Sequence, residues 1–184
     1  MNNRKITVTA FTGVLFYWIN TSLAQPPFSG PEDVAFAGQL WHALEENRLI
    51  GASRFQAMPY KTPPPHGHFV ESIDGRISVD GREGVVIVKK NFGKNKEETR
   101  QQIANDPDKY MTSITVMFKR EDGYDADNKN WFWVKYYPDG SLFKNPKGME
   151  LAGRVAKGSD KACIACHAAA PGKDYVYIHD RYAD

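Results

Sequence analysis

The hydrophobic positions of this chain gather in short stretches of β-branched and aromatic residues set between polar turns. Residues 68–73, 85–90, 112–119 and 131–137 read as strands, and Gly75 reads as the turn that follows the first. The segment 121–130, rich in Asp, Asn and Gly, links the last two as a long hairpin. Pro138-Asp139-Gly140 then makes a tight turn into 141–143, and residues 175–179 read as a closing strand. Near the start, Ala37, Leu40, Trp41 and Leu44 recur at helical spacing. Ser29 and Glu32 stand at capping-box spacing with Pro31 in the first turn, so a helix starts at Ser29 and ends near Asn47. Trp41 and His42 fall on its core and rim. A shorter helix covers 96–104, with Asn95 as its cap and Asp106-Pro107 beyond its end. Successive strands with short links predict an α+β fold, an antiparallel sheet with helices packed on one side.

Residues 1–24 have the layout of a secretory signal peptide: Arg4 and Lys5, an apolar run over 6–19, then Ser22-Leu23-Ala24 with cleavage before Gln25. The run is short against the roughly 20 residues that span a bilayer. Cleavage is therefore expected over an uncleaved anchor, leaving residues 25–184 as one exported domain, periplasmic in a bacterium, with no membrane association. The leader holds two of the 24 basic residues and none of the 22 acidic ones, so the mature chain is charge-balanced. That balance argues against a nucleic-acid partner and gives no strong steering towards a charged protein.

The chain has two cysteines, and both lie in Cys163-Ile164-Ala165-Cys166-His167. This C-x-x-C-H pattern is that of c-type haem attachment: two thioether bonds hold the macrocycle and the histidine supplies an axial nitrogen to the iron. A zinc site would need about four ligands, and no second Cys/His pair of suitable spacing exists. One covalent haem c is therefore expected, held by Cys163, Cys166 and His167. Small helical cytochromes carry this motif near their start. Here it follows the strands, so the haem packs on a β-rich body.

Several segments, in this order, resemble the cytochrome P-460 family, including the cytochromes c-prime-beta. They are Val85-Val86-Ile87-Val88-Lys89, Ile114-Thr115-Val116-Met117-Phe118-Lys119, Gly123-Tyr124-Asp125, Trp131-Phe132-Trp133-Val134-Lys135-Tyr136, the late haem motif and Asp174-Tyr175-Val176-Tyr177. The resemblance implies an antiparallel sheet with helices and a homodimer. It implies His167 as proximal ligand and an open opposite face for small nitrogen species, either oxidising hydroxylamine with a redox partner protein or binding nitric oxide. It also implies a role for Lys89, which matches the lysine that hydroxylamine-oxidising members cross-link to the haem. Alternation puts Val85, Ile87 and Lys89 on one face of the strand and leaves Lys90 for solvent. One departure stands out. The carboxylate that active members place above the iron aligns near Thr115, and residues 111–119 contain no Asp or Glu. A hydroxyl cannot hold a proton as a general base near neutral pH, so ligand binding is favoured over fast oxidation.

The alternative is a six-coordinate electron-transfer cytochrome, or a protein that only senses nitric oxide. Met58, Met111, Met117 and Met149 are sixth-ligand candidates that packing explains as well. His66-Gly67-His68, after three prolines, reads as a loop lining the pocket edge; both imidazoles share a face only if the segment is extended. The acidic loop 122–128 lacks the order of a calcium loop and reads as a solvated hairpin.

Overall fold

Six strands follow one another in a single antiparallel meander: β1 Tyr60–Lys61, β2 Phe69–Val79, β3 Arg82–Phe92, β4 Met111–Lys119, β5 Trp131–Tyr136 and β6 Ala152–Gly153. The computed structural model describes residues 27–63, 65–95, 97–171 and 174–177; the expected leader lies outside them. With four α-helices among the described residues, α1 Pro31–Glu46, α2 Arg100–Asn105, α3 Pro107–Tyr110 and α4 Cys163–His167, the fold is the expected α+β. Among the described residues no helix is long and apolar enough to cross a membrane.

The four expected strands are present, with different ends. β2 runs straight through Gly75, which pairs with Val86. The reversal falls instead at Asp80-Gly81, both at positive φ. Asp-Gly suits such a two-residue turn because its twist matches that of the flanking strands. Residues 141–143 contribute only an isolated bridge, Leu142 to Tyr136. Residues 175–177 form no strand, and 178–179 lie outside the described residues.

Helix starts shift for local reasons. Gly30, not Ser29, is the N-cap of α1: Asp33 Oδ2 accepts the Gly30 N–H at 3.3 Å. Ser29 Oγ instead accepts the Glu150 N–H at 2.9 Å. α2 begins where Thr99 Oγ1 accepts the Gln102 N–H at 3.3 Å, while the Asn95 carbonyl closes a turn with Glu98. Pro107 does not end the helical region. As a first-turn residue it opens α3, with Asp106 as cap.

Alternation divides the side chains between two cores. Val86, Val88, Val116, Phe118, Phe132 and Tyr136 pack beneath α1. Ile87, Met117, Trp131 and Trp133 point the other way, against Val155 and Ile164 of α4. Helices therefore lie on both faces of the sheet, not one.

Lys90, expected in solvent, is 1% exposed. Its strand position faces the main core, and the charge survives there because its cross-strand partner Glu71 pairs with it and Phe55 O accepts at 2.9 Å. The 122–128 loop is likewise more than a solvated hairpin. Asp125 is buried, bonded by Asn128 Nδ2 at 2.8 Å and paired with Lys157.

Candidate functional site

Two rows of cross-strand partners run over the sheet face opposite α1. Ser72, Lys89, Thr115 and Lys135 are successive Cα partners, and Asp74, Ile87, Met117 and Trp133 form the next row. Residues two apart on a strand share a face, so the rows lie side by side. Above them two adjoining cavities of about 250 and 290 Å³ share Ile87, Lys89, Met117 and His167. The first also takes in His66, Thr115, Trp133, Cys163 and Cys166. The second takes in Tyr60, Ser72, Asp74, Trp131 and Tyr177.

α4 brings the motif to this face. Helical spacing of three and four sets Cys163, Cys166 and His167 towards the same side, while Ile164 anchors the turn in the hydrophobic cluster beneath. His167 is 6% exposed, and its Nδ1 lies 2.7 Å from the Tyr175 carbonyl oxygen. A carbonyl oxygen only accepts, so Nδ1 carries the proton and Nε2 keeps its lone pair. Tyr175 sits at φ +64°, uncommon outside glycine. The residue is held there by its own hydroxyl, which donates to Asn128 Oδ1 at 3.3 Å. The 125–128 loop, buried at Asp125 and Asn128, thus supports the carbonyl that orients His167. Trp133 and Tyr177 complete the clasp, with ring centroids 4.9 and 5.5 Å from the imidazole, and Tyr177 Oη donates to Cys166 O at 2.8 Å.

Lys89 faces this site, is 8% exposed and borders both cavities. Of the two loop histidines only His66 reaches the site. Gly67 lies between them at φ +111°, so the segment is not extended and the rings diverge. A Cβ at Gly67 would stand 2.8 Å from Phe92 O, which makes glycine necessary at this contact. Among the four methionines considered as sixth ligands only Met117 borders the cavities; Met111 is in the main core and Met58 is 64% exposed.

Burial dominates the electrostatics. It pushes the Cys163 thiol above its ordinary range, partly offset by the Lys135 charge, and it pulls the Lys135 amine down. His66 is lowered to about 4, first by burial and then by the Lys89 charge, so its ring is neutral at physiological pH. A protonated thiol beside an apolar cavity is poor as a thiolate metal ligand or nucleophile. Three features of the site were not evident from sequence. The Tyr175 carbonyl and Asp74 depend on the fold and the pairing register. Lys135 shares its face with Trp131 and Trp133, a parity that reading along β5 could have exposed.

These residues fit a c-type haem. The two thiols and the imidazole open onto a cavity lined mainly by apolar side chains, of a kind that takes a cofactor. The Trp133 indole N–H is buried there with no acceptor among the described residues, and a polar group on a bound macrocycle would satisfy it. No curated protein and no solved structure matches the chain. The family model for Cytochrome P460 matches residues 76–178. That match runs from within β2 through the C-x-x-C-H helix and covers more than half of the chain, so the protein belongs to the cytochrome P460 family of haem proteins.

Proposed function

We propose that this is an exported c-type haem protein that binds, and slowly oxidises, small nitrogen species such as hydroxylamine and nitric oxide. Cys163 and Cys166 form the thioether bonds to a single haem and His167 supplies the proximal nitrogen. The observation that carries the reading is the 2.7 Å contact between His167 Nδ1 and Tyr175 O, because it leaves Nε2 as the donor atom beside both cysteines. The haem supplies ligand binding and electron transfer at its iron.

The chain's own residues then set selectivity. Ile87, Met117 and Trp133 keep the cavity apolar, which favours small, weakly solvated ligands. Thr115 presents a hydroxyl, and among the described residues no Asp or Glu borders the cavity that holds the cysteines. Proton removal is therefore slow on that side, and binding outweighs turnover. Lys89 either bonds covalently to the macrocycle or holds its amine at the macrocycle's edge. The covalent bond replaces an N–H and a ring C–H, so it requires a two-electron oxidant such as a peroxide. A homodimer in the periplasm, with a protein redox partner, completes the proposal.

The test is spectroscopic and kinetic. Purified holoprotein is titrated with nitric oxide and with hydroxylamine under anaerobic conditions. Saturable spectral change with both, and slow turnover of hydroxylamine with an artificial acceptor, is expected. No spectral response to either compound overturns the reading.

A further inference from the structure

The cavity that holds the cysteines is rich in hydrogen-bond donors and short of acceptors. Lys89, Thr115 and Lys135 are successive cross-strand partners on its floor, and Trp133 shares that face two residues from Lys135. Neighbouring strands lie about 4.8 Å apart, so the two lysines spring from points about 10 Å apart with the threonine between them. Among the described residues no Asp or Glu borders this cavity.

Three of the donors lack a good acceptor. Trp133 is 3% exposed, and its Nε1–H has no acceptor among the described residues. Thr115 Oγ1 receives the Asn91 Nδ2–H at 3.3 Å, but Lys89 O and His66 Nδ1, which compete for its own proton, stand at 3.5 and 3.4 Å. A hydroxyl normally donates over about 2.5–3.0 Å, so this proton is open to a closer acceptor. Lys135 is the third. Burial lowers its amine, the cost of a cation withdrawn from water. Its Nζ lies 4.2 Å from the centre of the Phe143 ring, and among the described residues no carboxylate pairs with it. The positive field extends across the cavity: after burial, the Lys89 and Lys135 charges both act to keep His66 neutral. A small oxyanion only accepts, offers more than one oxygen and carries the opposite charge, so a single such group satisfies all three donors.

We propose that Thr115, Trp133 and Lys135, with Lys89 alongside, form a site for one small oxyanion group, of the chemistry shared by nitrite and a carboxylate. The site rests on the haem reading above, because a haem attached at Cys163 and Cys166 shares the cavity and leaves room only for a small group. That group has two sources: a free anion such as nitrite, or a carboxylate of the haem itself. Lys135 is the anchor for either, since its charge is kept whether or not Lys89 is bonded to the macrocycle. A free anion would add a charged ligand to the neutral nitrogen species that the cavity takes.

Calorimetric titration of the ferric holoprotein with sodium nitrite, against sodium chloride at equal ionic strength, tests the first source. Saturable binding is expected, weakened on the order of tenfold or more in Lys135→Met and retained in Lys135→Arg. Trp133→Phe, which removes the indole donor, is expected to weaken it by about 2- to 10-fold. Resonance Raman spectra test the second source, because the propionate bending band follows hydrogen bonding to the haem carboxylates. No nitrite binding, with a band that moves in both Lys135→Met and Trp133→Phe, identifies a haem carboxylate as the occupant and upholds the site. No nitrite binding with an unmoved band overturns the proposal, as does nitrite binding that Lys135→Met leaves at full strength. A holoprotein that binds nitrite through Lys135 yet answers neither nitric oxide nor hydroxylamine upholds the site and overturns the proposed function instead.

Discussion

The Nδ1 atom of His167 lies 2.7 Å from the carbonyl oxygen of Tyr175, eight residues further along the chain. Tyr175 reaches that position through a left-handed backbone and a hydroxyl bond to the 125–128 loop. The chain on both sides of the haem motif therefore sets the orientation of one imidazole.

Removing that imidazole is expected to do more than weaken it. His167→Ala should lose the native haem spectrum and much of the thermal stability, because cofactor binding is linked to folding. Tyr175→Phe keeps the carbonyl and loses only the hydroxyl bond, at a cost of about 0.5–1.5 kcal/mol. Thermal melts of both holoproteins, followed at the Soret band, separate the two. Equal losses would contradict the small cost expected for the hydroxyl bond.

Covalent attachment is read on a denaturing gel. Thioether bonds survive denaturation and coordination bonds do not. The wild type is expected to keep its haem stain, and Cys163→Ala combined with Cys166→Ala to lose it. Retention of stain by the double variant would remove the attachment role from α4.

Lys89 is tested by peptide mass spectrometry. If its amine is bonded to the macrocycle, the tryptic fragment containing Lys89 travels with the 163–167 peptide. Lys89→Leu should then restore an ordinary c-haem spectrum with the sheet intact, since the substitution leaves an apolar side chain on a face already lined by Ile87 and Met117. A free Lys89 fragment with an unmodified spectrum assigns the chain to ligand binding without the cross-link.

Lys90 gives a contrast on the other face of the same strand. Lys90→Ala leaves the Glu71 carboxylate buried without its cation, and about 3–5 kcal/mol of stability is expected to go. Replacing both residues by methionine should recover most of it, because the desolvation cost disappears with the charges. Urea unfolding of the two variants decides. If the double replacement is as unstable as the single one, the pair is not a coupled ionic contact.

Much of the fold was legible in residue order. The four main strands, the first helix and the haem motif rest on local chemistry: β-branched alternation, helical spacing and a five-residue pattern. Expectation and structure part where two local signals compete. Gly75 looked like a turn, yet a glycine inside a long strand is tolerated when its neighbours pair, and Asp80-Gly81 met the turn's need for two positive φ values. Ser29 looked like a cap, but Asp33 supplied one from inside the helix and freed Ser29 for Glu150.

By itself the sequence determined that Lys89 and Lys90 face opposite sides of one strand, and that two thiols and an imidazole lie within five residues of one another. Both are local, the first through the two-residue period of a strand and the second through the chain itself. It did not determine which face was the main core, because that depends on where α1 packs, and so Lys90 was expected in water and lies paired in the interior. Nor did it bring His66 to His167, Thr115 to His66, or the Tyr175 carbonyl to the imidazole. Those meetings join loops and strands far apart in the chain, and only the register of the sheet and the path of the final segment decide them.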